Sequence, residues 1–207
     1  MKTVQTRDKS ITFFNERFQE SYHSTTIGAI EEAEKKYVEP AHLKDGVFIL
    51  DFCFGLGYNS LAALMKLDQV TIITLENDQE ILKQIETLEV PEPYQEKYEV
   101  IQKVAKNKEF DNGQIKIKLI LGNAQETIKI LTQKFDAVFF DPFSPKKCPE
   151  LWTLEVFQDV FKLMKPGAIL TTYSCATKVR ENMKAAGFQI KDSEPVGRKS
   201  PGTIGIK

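Results

Sequence analysis

The sequence predicts an α/β fold: a mostly parallel sheet with helices on both faces, an antiparallel strand near the C-terminus and an N-terminal extension. Three observations carry that expectation. The compact apolar runs VFILDF (47–52), VTIITLE (70–76), KIKLIL (116–121), FDAVFF (135–140) and AILTTY (168–173) alternate with helix-patterned segments. Continuous apolar strands of this kind belong in sheets covered on both faces. Glycines follow the first run at once, and polar residues (Asp51, Glu76, Asn123, Asp141) stand at or just past the run ends, where ligands bind in open α/β sheets.

In chain order, residues 1–24 are mixed and polar, with ITFF as a short strand. The stretch TTIGAIEEAEKKYV then reads as an amphipathic helix. Thr25 or Thr26 is its N-cap, Ile27, Ile30, Ala33 or Glu34, and Tyr37 share a face, and Pro40 stops it. Residues 1–45 are expected to form an extension whose helix packs on a main domain of residues 46–207, one domain overall. VFILDF leads through glycines into the helical SLAALMKL, and VTIITLE into DQEILKQIETL. After Pro91 and Pro93, the spacing of Tyr94, Tyr98, Ile101 and Ala105 predicts an inserted helix. ETIKILTQ, LEVFQDVFKLM and TKVRENMKAAG supply helices after the later strands, and FQIKDSE with GTIGIK form a terminal hairpin.

Composition narrows the function classes. The 207 residues are 42% apolar with a net charge of -1, so no general polyelectrolyte attraction to nucleic acid follows and any such contact must be local. Cys53, Cys148 and Cys175 are odd in number and widely spaced, which fits neither a disulfide framework nor a CxxC site. With only His23 and His42 as imidazoles, no metal site is expected. No apolar run approaches the roughly 20 residues that span a bilayer. The expectation is a soluble, cytoplasmic monomer without membrane contact.

The first strand tip reads DFCFGLGYNS. It misses GxGxxG because Ser60 stands in the third glycine slot, and fits acidic-x-G-x-G-x-G with Cys53 in the first. That pattern resembles class I S-adenosylmethionine-dependent methyltransferases with their Rossmann-like sheet. Glu76, about 20 residues on, sits where a carboxylate accepts ribose hydroxyls. Asn123 and Ala124 are placed to meet an adenine edge, and Asn123 is equally a helix N-cap.

The fourth tip, DPFSPKKCPELW (141–152), opens with Asp141 and is braced by Pro142, Pro145 and Pro149 around Phe143 and Ser144. It resembles the D/N-P-P-Y/F element of amine-directed methyltransferases. An alkyl ammonium with a pKa near 10.4 must lose a proton before it attacks a methyl sulfonium at pH 7, at a cost of about 4 to 5 kcal/mol. A carboxylate beside it takes that proton and aligns the lone pair. Trp152 either walls this pocket or packs in the core beneath the loop.

The combined segments SYHSTTIGAIEE (21–32), FCFGLGYNSL (52–61), DPFSPKKCPELWT (141–153), TYSCATKVRENMKAAGF (172–188) and GRKSPGT (197–203) resemble the methyltransferase half of the MnmC family. The resemblance implies S-adenosylmethionine as cofactor and 5-aminomethyluridine at the tRNA wobble position as methyl acceptor. It implies that Asp51, Cys53, Gly55, Gly57 and Asn59 form the cofactor turn, with Glu76 on the ribose and Asn123 and Ala124 at adenine. Asp141 would face the acceptor amine. Tyr22, His23 and Ser24 would approach from the N-terminal side, Phe143, Lys146 and Trp152 from the loop, and Ser174, Arg198 and Lys199 from the C-terminal side; His23 as a packing residue is the alternative.

Three departures from the family pattern matter. Cys53 replaces a glycine, which is tolerable if that position keeps a β-like φ. Asn123 replaces an aspartate. The FAD-dependent oxidase half of the bifunctional members is not in this sequence, so FAD is not expected and the aminomethyl group would come from another system. The partner would be the tRNA anticodon stem-loop, met by a basic C-terminal end (Lys162, Lys165, Lys178, Arg180, Lys184, Lys191 and onward) and by Lys146 and Lys147 at the pocket mouth. Two alternatives stay open: aminopropyl transfer to a polyamine, disfavoured by those mouth lysines, and a cofactor-binding module without turnover.

Overall fold

The computed structural model describes residues 1–197 and 199–207. The polar N-terminal segment folds into three antiparallel strands, β1 (Lys2–Gln5), β2 (Ile11–Asn15) and β3 (Glu20–Ser21), ordered β1-β2-β3. Only the middle one is apolar enough to have been expected from its residues. Helix α1 (Ala29–Ala33) follows and continues as a π-helical turn over Glu34–Val38. Ile27, Ile30, Ala33 and Tyr37 are all buried, as their spacing predicts.

The helix start differs from the expected Thr25 or Thr26 cap. Gly28 is the N-cap, and no side chain of the helix's own lead caps it. The free N–H groups of Ile30 and Glu31 instead donate to Asp8 Oδ2 at 3.0 and 2.9 Å, and that of Ala29 to Ser10 Oγ at 3.1 Å. A cap supplied by a loop some 20 residues upstream leaves no local signature in the sequence. Gly28 is needed because it has φ 137° and a Cβ there would stand 2.2 Å from Asp8 Cγ.

The main sheet comprises β4 (Val47–Phe52), β5 (Val70–Glu76), β6 (Glu109–Asp111), β7 (Ile115–Leu121), β8 (Phe135–Phe140), β9 (Met164–Thr172), β10 (Gln189–Asp192) and β11 (Thr203–Ile206). Its order is β10-β11-β9-β8-β4-β5-β7-β6. The five central strands are parallel; β6, β11 and β10 run antiparallel to their neighbours. Helices α2 (Tyr58–Lys66), α3 (Gln79–Ile85), α4 (Gln95–Asn107), α5 (Ala124–Thr127), α6 (Leu154–Leu163) and α7 (Thr177–Ala186) fill the connections. Alternation along each strand divides the core in two: Ile49, Ile72 and Phe139 point to one face, Leu50, Ile73 and Phe140 to the other. Among the described residues no helix is long and apolar enough to cross a membrane.

From β4 the chain builds outward through β5 and β7, then returns to lay β8 on the other side of β4. The strand order therefore reverses between β4 and β8, and the crevice beyond their carboxyl ends is where such sheets bind ligands. The backbone N–H of Asp141 donates to Phe52 O at 3.1 Å, which ties the two strand tips together at that crevice.

Candidate active site

A cavity of about 800 Å³ opens over these carboxyl ends. Of the residues singled out from the sequence, Cys53, Gly55, Glu76, Asn123, Ala124 and Asp141 line it, and so do Tyr22, His23, Ser24 and Phe143. Residues from four strand tips and the N-terminal sheet thus meet in one space.

The glycine turn is more strained than expected. Cys53 has φ 75°, not a β-like value, and Gly55 and Gly57 follow at 52° and 74°. The left-handed region is costly for a residue with a Cβ. Here the backbone is held by Phe54 N–H to Leu75 O (2.9 Å) and Gly57 N–H to Phe54 O (2.8 Å), while the Cys53 side chain packs on the second core. Burial keeps its thiol protonated, with Glu76 nearby adding to the effect. At Gly55 the exposed backbone faces the Tyr22 ring, 3.4 Å from where a Cβ would stand. Gly57 serves packing, because a Cβ there would meet Ile101 at 2.4 Å.

Glu76 holds the turn and still faces the cavity. Its Oε2 accepts from Gly55 N–H (2.8 Å), and its Oε1 from the N–H groups of Asn77 and Asp78 (both 2.8 Å). Burial pushes its carboxyl up to about 6 against those three donors. Asn123 caps α5 by accepting from Gln125 N–H at 3.0 Å, as expected, and it also lines the cavity.

Asp141 is gripped from below. Tyr37 O–H donates to its Oδ1 and Asn59 Nδ2 to its Oδ2 at 2.9 Å. Burial, then repulsion from Glu32, holds its carboxyl well above the usual carboxylate range. Asn59 therefore lies beneath the wall as a support, and Tyr37, valued from the sequence only as a buried helix residue, is its partner. Asp51 is fully buried, with Oδ2 accepting from Ser60 Oγ at 2.6 Å and Oδ1 unpaired; burial pushes its carboxyl up to about 7. It sits under the turn rather than on the wall.

His23 is 8% exposed and packs edge-on against Tyr58, with its Nδ1 3.5 Å from Thr12 Oγ1. Burial pushes its pKa down to about 4 despite Glu32 and Asp8, so the imidazole is neutral at pH 7. It lines the cavity and packs in the interior at once. Trp152 is a core residue, 3% exposed, stacked edge-on against Phe140 and Tyr173. Its indole N–H donates to Phe143 O (2.8 Å), and Tyr173 O–H donates to Pro142 O (3.0 Å). The loop is thus braced from behind by aromatic donors as well as by its prolines.

The lysines depart from expectation. Lys146, Lys147 and Lys199 are exposed and off the cavity wall, Ser174 is buried away from it, and Arg198 lies outside the described residues. Beyond Glu76 and Asp141 the wall carries Glu16, Glu20, Glu32, Asp78, Glu80 and Glu150. Much of the basic C-terminal end is engaged internally: Lys162 with Asp159, Lys165 with Asp136, and Arg180 with Asp192 at 2.7 Å and Gly202 O at 3.0 Å. Glu20 and Phe18, on the N-terminal hairpin, were not singled out from the sequence because nothing local marks a polar hairpin as part of a site.

The donor set fits a ligand bearing a diol, a flat heteroaromatic base and a positive charge. Glu76 retains acceptor capacity at the turn, Asn123 and Ala124 line the same cavity, and the wall is acidic.

Comparison with known proteins gives this arrangement its family. The family model for S-adenosyl-L-methionine-dependent methyltransferases matches residues 86–207. The crystal structure of MnmC2 from Aquifex aeolicus superposes with a TM-score of 0.90 at 35% identity, over 99% of this chain and 69% of that one. An uncharacterised protein of Methanocaldococcus jannaschii is 34% identical over 99% of this chain, and the bifunctional tRNA 5-methylaminomethyl-2-thiouridine biosynthesis protein MnmC of Ralstonia nicotianae is 28% identical over 93%. The chain spans 59% of the length of the first and 32% of the second. It belongs to the S-adenosyl-L-methionine-dependent methyltransferases, as an MnmC-like methyltransferase domain whose cofactor is S-adenosylmethionine.

Proposed function

We propose that this chain methylates the exocyclic amine of 5-aminomethyluridine at the tRNA wobble position, giving 5-methylaminomethyluridine. The observation that carries the reading is Asp141: a carboxyl at a strand tip on the cavity wall, held by Tyr37 and Asn59, whose proton affinity is raised by burial. The MnmC relatives, named for tRNA 5-methylaminomethyl-2-thiouridine biosynthesis, support the choice of acceptor.

When bound, S-adenosylmethionine supplies an electrophilic methyl on sulfonium. In this reading Glu76 receives the ribose hydroxyls on lone pairs that its three backbone donors leave free, and Asn123 and Ala124 meet the adenine. The acidic wall attracts the acceptor as its ammonium form. Asp141 takes one ammonium proton, a transfer made easier by its raised pKa. With the cofactor bound, the freed nitrogen lone pair would take up the methyl group while the sulfonium would leave as the neutral thioether, and the Asp141 carboxyl would keep the displaced proton. Tyr37 and Asn59 hold the carboxylate still, and Phe143 excludes water beside the nitrogen.

The test is mass spectrometry of wobble nucleosides after incubation with labelled cofactor and tRNA bearing aminomethyluridine. A mass gain of one methyl at that nucleoside is expected, and its absence overturns the reading. Asp141→Asn should lower kcat by about 10² to 10⁴ while cofactor affinity stays within about two-fold; full activity would remove Asp141 from the mechanism.

Aminopropyl transfer to a polyamine is the second reading, and the acidic wall favours it. The lysines that spoke against a polycation lie off that wall. Incubation with a decarboxylated cofactor and a diamine discriminates: an aminopropylated product would replace the methyltransferase reading.

A further inference from the structure

We propose that the turn between β2 and β3, residues 16–19, is a nucleotide-binding subsite, with Phe18 stacking on a base of the substrate strand and Arg17 pairing with one of its phosphates. The inference rests on the reading above that the acceptor is a nucleotide in RNA. Its starting point is a column of flat groups running down the cavity wall. The Arg17 guanidinium lies 5.2 Å from the Phe18 ring centre. Phe18 stacks on Phe143 at 4.5 Å and 23°, and Phe143 meets Tyr22 at 4.9 Å. All four line the cavity, from the exposed hairpin tip down to the glycine turn.

The column is preorganised. Asn15 Oδ1 accepts from the backbone N–H groups of Arg17 (2.9 Å) and Phe18 (3.2 Å), and Gln19 closes the turn in the left-handed region at φ 51°. Glu20 Oε2 accepts from Ser144 Oγ (2.7 Å) and Ser144 N–H (3.2 Å), clamping the hairpin to the loop that carries Asp141 and Phe143. Phe143 covers one face of Phe18 and the Arg17 guanidinium lies over the ring. The base takes the place of that guanidinium as Arg17 swings to the phosphate, and a base stacked there is registered against the acceptor carboxylate.

Charge selects the role of Arg17. The wall is acidic and repels phosphodiester. Among the described lining residues Arg17 is the one Lys or Arg side chain. A nucleotide that inserts its base into an acidic cavity needs its phosphate met by a cation at the rim, and an exposed arginine beside an aromatic face is how single strands are held.

The experiment uses the full chain, an anticodon stem-loop carrying aminomethyluridine, and the free nucleoside 5-aminomethyluridine, which has no phosphate. Arg17→Ala should raise KM for the stem-loop about ten-fold, leave KM for the nucleoside unchanged, and reduce the slope of log affinity against log salt by about one. Phe18→Ala should raise KM for both acceptors about ten-fold, with Phe18→Tyr restoring it. Glu20→Ala, which releases the Ser144 clamp and removes one wall carboxylate, should lower kcat for the stem-loop without reducing the salt slope. KM for the cofactor should stay within about two-fold in every variant. Stem-loop KM unchanged in both Arg17→Ala and Phe18→Ala overturns the assignment, as does an equal rise in cofactor KM, which would mean that the hairpin serves the cofactor. A wild-type chain active on neither acceptor overturns the functional reading, and this one with it.

Discussion

Asp141 shows how burial adjusts an ordinary carboxylate, an adjustment that the proposed mechanism uses for amine chemistry. In water its pKa lies too low for it to hold a proton at pH 7; on this wall desolvation, then Glu32 and more weakly Asp51, push it up, while Tyr37 and Asn59 pull it down. The sign of each contribution is testable. Only the ionised form accepts a proton, so kcat/KM should fall as pH drops through the raised pKa. Tyr37→Phe removes a donor to the charged form, raises the pKa further and should move that acidic limb to higher pH by about one unit. A limb that stays put, or moves to lower pH, would exclude Tyr37 from tuning the base. The acidic strand tips were legible in the sequence because a charged residue closing an apolar run is a local anomaly. Tyr37 was not: its helical spacing marks it as buried, and only the fold brings its hydroxyl to a residue 104 positions away.

The N-terminal hairpin, α1 and the loop that follows β8 are tied together by hydrogen bonds. Asp8 closes the start of α1, Tyr37 in the π-helical turn that continues it reaches Asp141, and Glu20 clamps the hairpin to Ser144. Asp8→Ala should cost about 1 to 2 kcal/mol, measured by urea unfolding at pH 7. Burial raises the Asp8 pKa but is outweighed by donors from Ser10, Glu31 and Thr6, so the folded value lies below the unfolded one. Its stabilisation is therefore full above the unfolded carboxylate pKa and lost as pH falls through the folded value. The gap between wild type and variant should close in acid; a constant gap would mean that the aspartate acts by packing. The expected Thr25 or Thr26 cap failed here because propensity sees only neighbours, and the cap comes from a loop two strands upstream.

The whole molecule is a sheet with two cores, and Trp152 links the second core to the site. Trp152→Ala should cost about 3 to 5 kcal/mol. Trp152→Phe, which keeps most of the ring but not the N–H to Phe143 O, should cost less and raise acceptor KM more than cofactor KM. Unchanged stability in the alanine variant would return Trp152 to the pocket wall. The alternation of apolar runs with helix patterns sufficed for the fold class and for the edges of β4, β5, β7 and β8, because strand burial and helix periodicity are written in adjacent residues. The glycine turn and DPFSP loop likewise announced a site, since φ restriction and misplaced charge are properties of single residues. The tertiary fold alone decided that Cys53 takes a left-handed φ, that Lys146 and Lys147 lie off the cavity wall, that this wall is acidic, and that a polar hairpin supplies Phe18 and Arg17. Each depends on distances between segments far apart in the chain, and those are set by sheet order and packing rather than by local preference.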